Sequence, residues 1–277
     1  MAEDKYKGYS VLMSVYYKEK PEYLKKSIES IQNQTIPTDD FVLVCDGTLN
    51  SELDDVISTK QQEMGNIFNV VRLYDHRGLG IALNEGIKHC KHGLIARMDS
   101  DDIAYPNRCE RQLEVFHMHP EISICSGTVE EFSVSPDIVD ARRIPPETNS
   151  EIMEFAKKRN PFNHPCVMYK KSAIESVGSY QDFYMLEDYY LWLRMQSAGY
   201  QGYNIQEPIL HMRAGASMYR RRAGWKYAKT QAKLFKYMRD NGMIDNIQFI
   251  KSCMVRSGSA LAPNWLRKFM FDKMVRK

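Results

Sequence analysis

Apolar and polar positions along the first hundred residues fall into blocks whose period switches between two and about 3.6. Tyr9 to Tyr16 is an apolar, strand-favouring run, and Pro21 then opens a helix whose Leu24, Ile28 and Ile31 share one face. Phe41 to Cys45 is a second apolar strand, stopped by Asp46 and Gly47; Asn50 or Ser51 can cap the helix that runs on toward Met64. A third strand is expected from Phe68 to Leu73, a helix from Leu79 to Cys90 with Ala82, Leu83 and Ile87 on one side, and a fourth strand from Leu94 to Met98. This alternation predicts an α/β fold, a parallel sheet with helices on both faces and ligands at the carboxyl ends of its strands. Asp46 and Asp99 both stand at such ends.

The simple alternation stops after Pro106. A helix from Asn107 to His117 is expected, then an apolar run from Ile122 to Val129 and a polar, Pro-bearing stretch from Ser133 to Asn149. Residues 150–159 read as a helix, His164 to Tyr169 as a strand, and Glu187 to Ala198 as an amphipathic helix with Leu191, Trp192 and Met195 facing inward. Beyond Ile209 a Gly- and Arg-rich stretch reads as a loop, followed by helices over Trp225 to Arg239, Ile244 to Val255 and Asn264 to Lys277. The expected division is a catalytic domain over 1–210, with a nucleotide-binding half (1–102) and an acceptor half (103–210), and a basic helical region over 211–277.

The candidate chemistry centres on the end of the fourth strand, where Asp99, Ser100, Asp101 and Asp102 follow an apolar run. Carboxylates so close repel one another, and a solvated turn or a divalent cation relieves that repulsion. Neither a GxGxxG nor a GxxxxGK[ST] pattern occurs, so the usual dinucleotide fingerprint and the P-loop are both excluded.

Charge changes the picture at the C-terminal end. The 277-residue chain carries a net charge of +3, but from His211 onward there are sixteen Lys or Arg against three Asp or Glu. The body is therefore acidic and the tail basic, which suits an anionic partner for the tail, either a membrane surface or nucleic acid. In the last segment Trp265, Leu266, Phe269, Met270 and Met274 share a face flanked by Arg and Lys, the composition of an in-plane membrane helix and also of a helix packed on its own domain. No long apolar span and no signal pattern are present, which predicts a protein kept in the cytoplasm. Six scattered cysteines without a CxxC pair read as small buried hydrophobes.

The ordered blocks SVYYKEKPEYLKKSIESIQNQT, VCDGT, RGLGIALNEGI, ARMDSDDIAYPNRCERQ, NHPCVMY, GSY and LEDYYLWLRM resemble the family-2 inverting glycosyltransferases of GT-A fold, particularly the bacterial polysaccharide and O-antigen type. The resemblance implies a GT-A-like nucleotide-binding sheet flanked by helices, with a helical basic C-terminal extension. It implies a nucleoside pocket lined by Ser14, Tyr16 and Glu19, with Asp46 on the uracil edge and Arg77 near the nucleotide. Asp99 would face the ribose and the metal, Asp101 would bind Mn or Mg, and Asp102 would stand behind them. Asp188, next to Glu187, matches the catalytic base. Cys45 departs from the pattern, standing where many members have a further Asp. The implied reaction moves a hexose or N-acetylhexosamine from a UDP-sugar to a glycan acceptor carried on a polyprenyl diphosphate. The enzyme would then be peripheral on the inner face of the cytoplasmic membrane, with no nucleic-acid partner.

Some residues keep two readings. His211 is either a third metal ligand or structural, and His164 either touches a sugar hydroxyl or is a hydrogen-bonded core histidine. Arg213 and Arg220 to Arg222 either close over a diphosphate or form a solvated loop. Two competing functions stand beside the transferase. A sugar-phosphate nucleotidyltransferase is disfavoured because the loop after the first strand contains no Gly, and a non-catalytic scaffold is disfavoured by the retained acids.

Overall fold

The computed structural model describes residues 8–214 and 224–258. Four parallel strands form its first half: β1 (Tyr9–Val15), β2 (Asp40–Cys45), β3 (Phe68–Arg72) and β4 (Leu94–Asp99). They alternate with helices α1 (Pro21–Gln32), α2 (Ser51–Met64) and α3 (Leu79–His89). Asn50 caps α2, its Oδ1 accepting the Leu53 N–H at 2.9 Å.

The second half adds β5 (Ile103–Ala104), α4 (Arg108–Met118), β6 (Ile122–Phe132), β7 (Ala141–Arg143), α5 (Asn149–Ala156), β8 (Met168–Lys170), α6 (Lys171–Ser176), α7 (Glu187–Ser197) and β9 (Gln201–Arg213). Among the described residues this makes one nine-stranded sheet in the order β3-β2-β1-β4-β8-β6-β9-β5, with β7 on β6. β4 to β8 and β8 to β6 are antiparallel, and β6 to β9 is parallel. The sheet is thus mixed.

Two differences from the sequence pattern bear on the site. The expected strand over His164 to Tyr169 begins as a 3-10 turn, His164–Cys166, because Pro165 supplies no N–H to a ladder; only Met168–Lys170 pairs. The stretch past Ile209 is strand as far as Arg213, so the boundary expected at 210 falls inside β9.

β1, β2 and β4 are buried on both faces, which is why they read as largely apolar runs, while β3 at the sheet edge exposes Asn69 and Arg72. Val11, Met13 and Val15 face a core with α1, α2 and α4, while Leu12, Val42 and Val44 face a second core with α3, α6 and α7. The basic helix α8 (Gly224–Asp240) lays Tyr227, Leu234, Phe235 and Met238 on Leu193, Phe183 and their neighbours from α7 and the loop before it. Its last turn leads to α9 (Asn246–Ser252), which buries no side chain. Among the described residues no helix is long and apolar enough to cross a membrane. Asn264 to Lys277 and Arg220 to Arg222 lie outside the described residues. Five cysteines are buried and Cys253 is half-buried, and none is in a disulfide.

Candidate active site

β1, β2 and β4 end together: Ser14 is opposite Asp99, Val15 is opposite Cys45, and the Asp46 N–H donates to the Val15 carbonyl at 2.8 Å. That register sets Ser14, Asp46 and Asp99 along one rim. Asp46 is nearly inaccessible, 2 % exposed. Its Oδ1 accepts the Arg77 N–H at 2.7 Å and its Oδ2 the Gly78 N–H at 3.0 Å, with His76 Nδ1 2.7 Å away. The carboxylate therefore grips the loop that leads into α3. Arg77 contributes its main chain, and its side chain is exposed.

Above that carboxylate the His76 ring stacks on Tyr16 at 5.7 Å and 22°, with Tyr17 edge-on to it at 6.1 Å. Exposed flat rings over a buried acceptor make a platform for a planar heterocycle. Gly47 makes the approach of the His76 loop possible. Its φ is 87°, and a β-carbon there would lie 2.7 Å from the His76 backbone nitrogen.

The acidic turn follows β4. Ligand-type oxygens of Asp99, Asp101 and Asp102 lie within 4.8 Å of one another, the only such group of metal-ligating side chains among the described residues. Ser27 Oγ donates to the Asp99 carbonyl at 2.8 Å, and Ser100 Oγ donates to Glu19 Oε2 at 2.6 Å, so α1 and the loop before it hold the turn. Asp102 is 1 % exposed; its Oδ1 accepts the Arg213 N–H at 2.7 Å, and its Oδ2 has no hydrogen-bond partner among the described residues. Arg213 also donates from Nε to the Asp101 carbonyl at 3.1 Å, its guanidinium lying over Tyr23 and Phe132.

Burial, then the charges of Asp99 and Glu19, push the Asp101 carboxyl up to about 7. Burial, then Asp101 and Asp99, push Asp102 well above the carboxylate range. Two dehydrated carboxyls, Asp101 and Asp102, whose charged forms lack a sufficient counter-charge, one with an orphaned buried oxygen and both beside Asp99, fit a hard divalent cation.

His211 is not in that group. Its ring stacks on Tyr105 at 4.3 Å, and Nδ1 is 3.7 Å from Glu130 Oε2. It is Arg213, further along β9, that reaches the acidic turn. His164 is buried with Nε2 2.9 Å from the Tyr180 hydroxyl, the core arrangement of its two readings.

The third element is the start of α7. Met185, at φ 63°, turns the chain into it, and Leu186 donates to the Phe183 carbonyl at 2.8 Å. Asp188 Oδ2 accepts from the Asn160 amide at 2.7 Å, and its Oδ1 accepts the Tyr189 N–H at 2.7 Å. Burial raises the Glu187 carboxyl above its ordinary range. Glu187 packs on the first turn of α3, where a β-carbon on Gly80 would lie 3.9 Å from the Glu187 β-carbon. Gly78, two residues earlier, is held by Asp46, so one short turn ties the two ends of the site together.

Three site residues escaped the sequence reading. His76 could have been suspected as a ring beside Arg77, and Arg97 as a charge inside an apolar strand. Asn160 gave no local signal of its bond to Asp188.

Comparison with known proteins bears on this arrangement. The family profile "Glycosyl transferase family 2" matches residues 10–182. The chain is 36 % identical over 270 residues to the amylovoran biosynthesis glycosyltransferase AmsE of Erwinia amylovora, covering 96 % of this chain and 98 % of that protein. It is 36 % identical over 269 residues to a UDP-Gal:alpha-D-GlcNAc-diphosphoundecaprenol beta-1,3-galactosyltransferase of Escherichia coli, with 97 % of each covered. Among solved structures it is similar to S. aureus TarS 1-349 in complex with UDP-GlcNAc, with TM-score 0.67, 14 % identity, and 98 % of this chain and 76 % of that one covered. A Pyrobaculum calidifontis mannosyltransferase, PcManGT, in complex with GDP-Man and Mn2+ gives TM-score 0.66 at 15 % identity, covering 97 % of this chain and 76 % of that one. At such identities these structures speak for the GT-A fold alone.

Proposed function

The chain belongs to glycosyl transferase family 2, and from that premise we propose that it moves a hexose or N-acetylhexosamine from a UDP-sugar to a lipid-linked glycan with inversion. The observation that carries this reading is the gathering of the Asp46 loop, the Asp99–Asp101–Asp102 turn and the Glu187–Asp188 pair at one end of the sheet. UDP and a diphosphate-lipid acceptor are favoured by the Escherichia coli relative, whose name states both and which matches along its whole length.

On this reading Tyr16 and His76 stack on the base while the Asp46 loop closes its edge, and Ser14 and Glu19 line the pocket. Asp99 and Asp101, with Asp102 beside them, would hold Mn or Mg, which supplies neutralisation of the negative charge that builds on the diphosphate leaving group. Asp99 also faces the ribose. Asp188 takes the proton of the acceptor hydroxyl, its carboxylate aimed by Asn160. With one base and no protein nucleophile, displacement at the anomeric carbon is direct.

The basic tail supports peripheral contact with an anionic cytoplasmic membrane surface, and no nucleic-acid partner is proposed. Removal of Asn264 to Lys277 is then expected to shift the protein from membrane to soluble fractions.

The test is direct. UDP-glucose, UDP-galactose and their N-acetyl forms, radiolabelled, are offered with a synthetic diphosphate-lipid acceptor, with and without Mn. Transfer from one donor, abolished by chelator, is expected; inertness with all four would overturn the donor assignment.

A further inference from the structure

Arg97 interrupts an otherwise apolar central strand and is 1 % exposed. Strand alternation puts its side chain on the face of Ile95 and Asp99. Its main chain is fully used, the N–H donating to the Val167 carbonyl at 2.9 Å and the carbonyl accepting from Arg108 Nη2 at 2.5 Å. The guanidinium is not. Nη2 reaches Asp99 Oδ1 at 2.5 Å, while Nε and Nη1 have no hydrogen-bond partner among the described residues.

The charge of Asp99, and after it that of Asp102, acts on the guanidinium. Asp99 is its only ion-pair partner among the described residues. His164 is kept neutral, far below its usual range, by burial and by the Arg97 charge itself. A buried cation with donors unmet adds little stability, and an unbranched apolar chain of similar length would fill the strand as well. Removing it would not leave Asp99 as a buried anion, since that side chain is 34 % exposed. What Arg97 does accomplish is orientation: it takes one oxygen of Asp99 from below and leaves the other for a ligand above.

We propose that Arg97 is a positioning residue for the donor, acting through Asp99 by fixing the rotamer of that carboxylate at the mouth of the acidic turn. The proposal rests on the nucleotide-sugar reading of the site. It extends that reading to a residue that touches neither nucleotide nor metal.

The experiment is a double-mutant cycle on the full chain, read by calorimetric titration of UDP in the presence of Mn and by thermal unfolding. Arg97→Met is expected to keep or raise the Tm while weakening UDP binding about tenfold, the scale of one lost charge-assisted contact. Asp99→Asn is expected to weaken binding at least as much, and Arg97→Met added to Asp99→Asn to cost nothing further. Should Arg97→Met fail to fold, Arg97→Lys keeps the charge but not the planar fork. It is expected to lose about threefold to fivefold in affinity in the parent and nothing in the Asp99→Asn background.

Parent-like UDP affinity in a folded Arg97 variant would overturn the proposal, as would losses at the two positions that multiply. A parent protein that binds no UDP but binds another nucleoside diphosphate would defeat the UDP assignment instead, and the same cycle is then read with that nucleotide.

Discussion

His76 Nδ1 lies 2.7 Å from Oδ2 of Asp46, thirty residues earlier in the chain and at the end of a different strand. One buried carboxylate thereby holds a ring and two main-chain N–H groups in a single loop. Asp46→Asn keeps the shape but turns charge-assisted bonds into neutral ones and sets an NH2 group against a donor. Since a hydrogen bond to a charged group is worth about 1.5–3 kcal/mol, UDP affinity is expected to fall by roughly tenfold or more. Titration of UDP into the variant checks this, and unchanged affinity would remove Asp46 from the nucleotide pocket.

Two glycines separate binding from stability. Gly47→Ala places a β-carbon 2.7 Å from the His76 nitrogen at a φ of 87°, so the loop must move and nucleotide binding should weaken. Gly86→Ala lies on the buried face of α3, where the new methyl meets Leu12 Cδ1 and, at 2.7 Å, Val44 Cγ2. Overpacking of about 1–3 kcal/mol there exceeds the gain in helix propensity of about 1 kcal/mol. Gly86→Ala should therefore lower the Tm by a few degrees, at about 2–4 °C per kcal/mol, and leave UDP affinity near the parent's.

The acidic turn predicts a pH dependence. With its carboxyl raised from the ordinary range to about 7, Asp101 is protonated in the metal-free fold between pH 4 and 7, where the unfolded chain has already released that proton. The folded state then binds more protons than the unfolded one, so this group's contribution to stability falls as pH rises toward 7. A bound manganese would have to displace the proton, so Mn affinity should increase with pH through about 7. Mn titrations from pH 5.5 to 8 test the slope, and Asp101→Asn should flatten it.

Asp188 and Asn160 carry the last prediction. Asp188→Asn removes the proposed base and is expected to reduce kcat by about 10²–10⁴ while sparing UDP affinity. Asn160→Ala leaves that carboxylate but removes the amide that aims its Oδ2, and should lower kcat by a smaller factor with donor KM unchanged. Activity retained in Asp188→Asn would pass the role of base to Glu187.

Much of this site could be read from local pattern. β1, β2 and β4 are buried on both faces, so their residues form largely apolar runs, and Asp46 and Asp99 declare themselves as the acids that close two of them. The ends of α7 and α8 were also close to expectation, since α8 commits one face to a core and α7 packs into two. β9 was not. Its exposed and buried residues follow no clean alternation, and Pro208 interrupts it where its register with β6 shifts.

From its residues alone, then, the element types of this protein's first half and the strand ends bearing its acids were determined, because period and polarity are properties of neighbours along the chain. The tertiary structure alone decided which of those groups meet. Arg213 reaches Asp102 across 111 residues, His211 on the same strand turns to Glu130, and among the described residues Arg97 finds one hydrogen-bond partner for its three side-chain nitrogens. Such pairings depend on which strand lies beside which, and a period of two specifies a side chain's face without specifying what waits on that face.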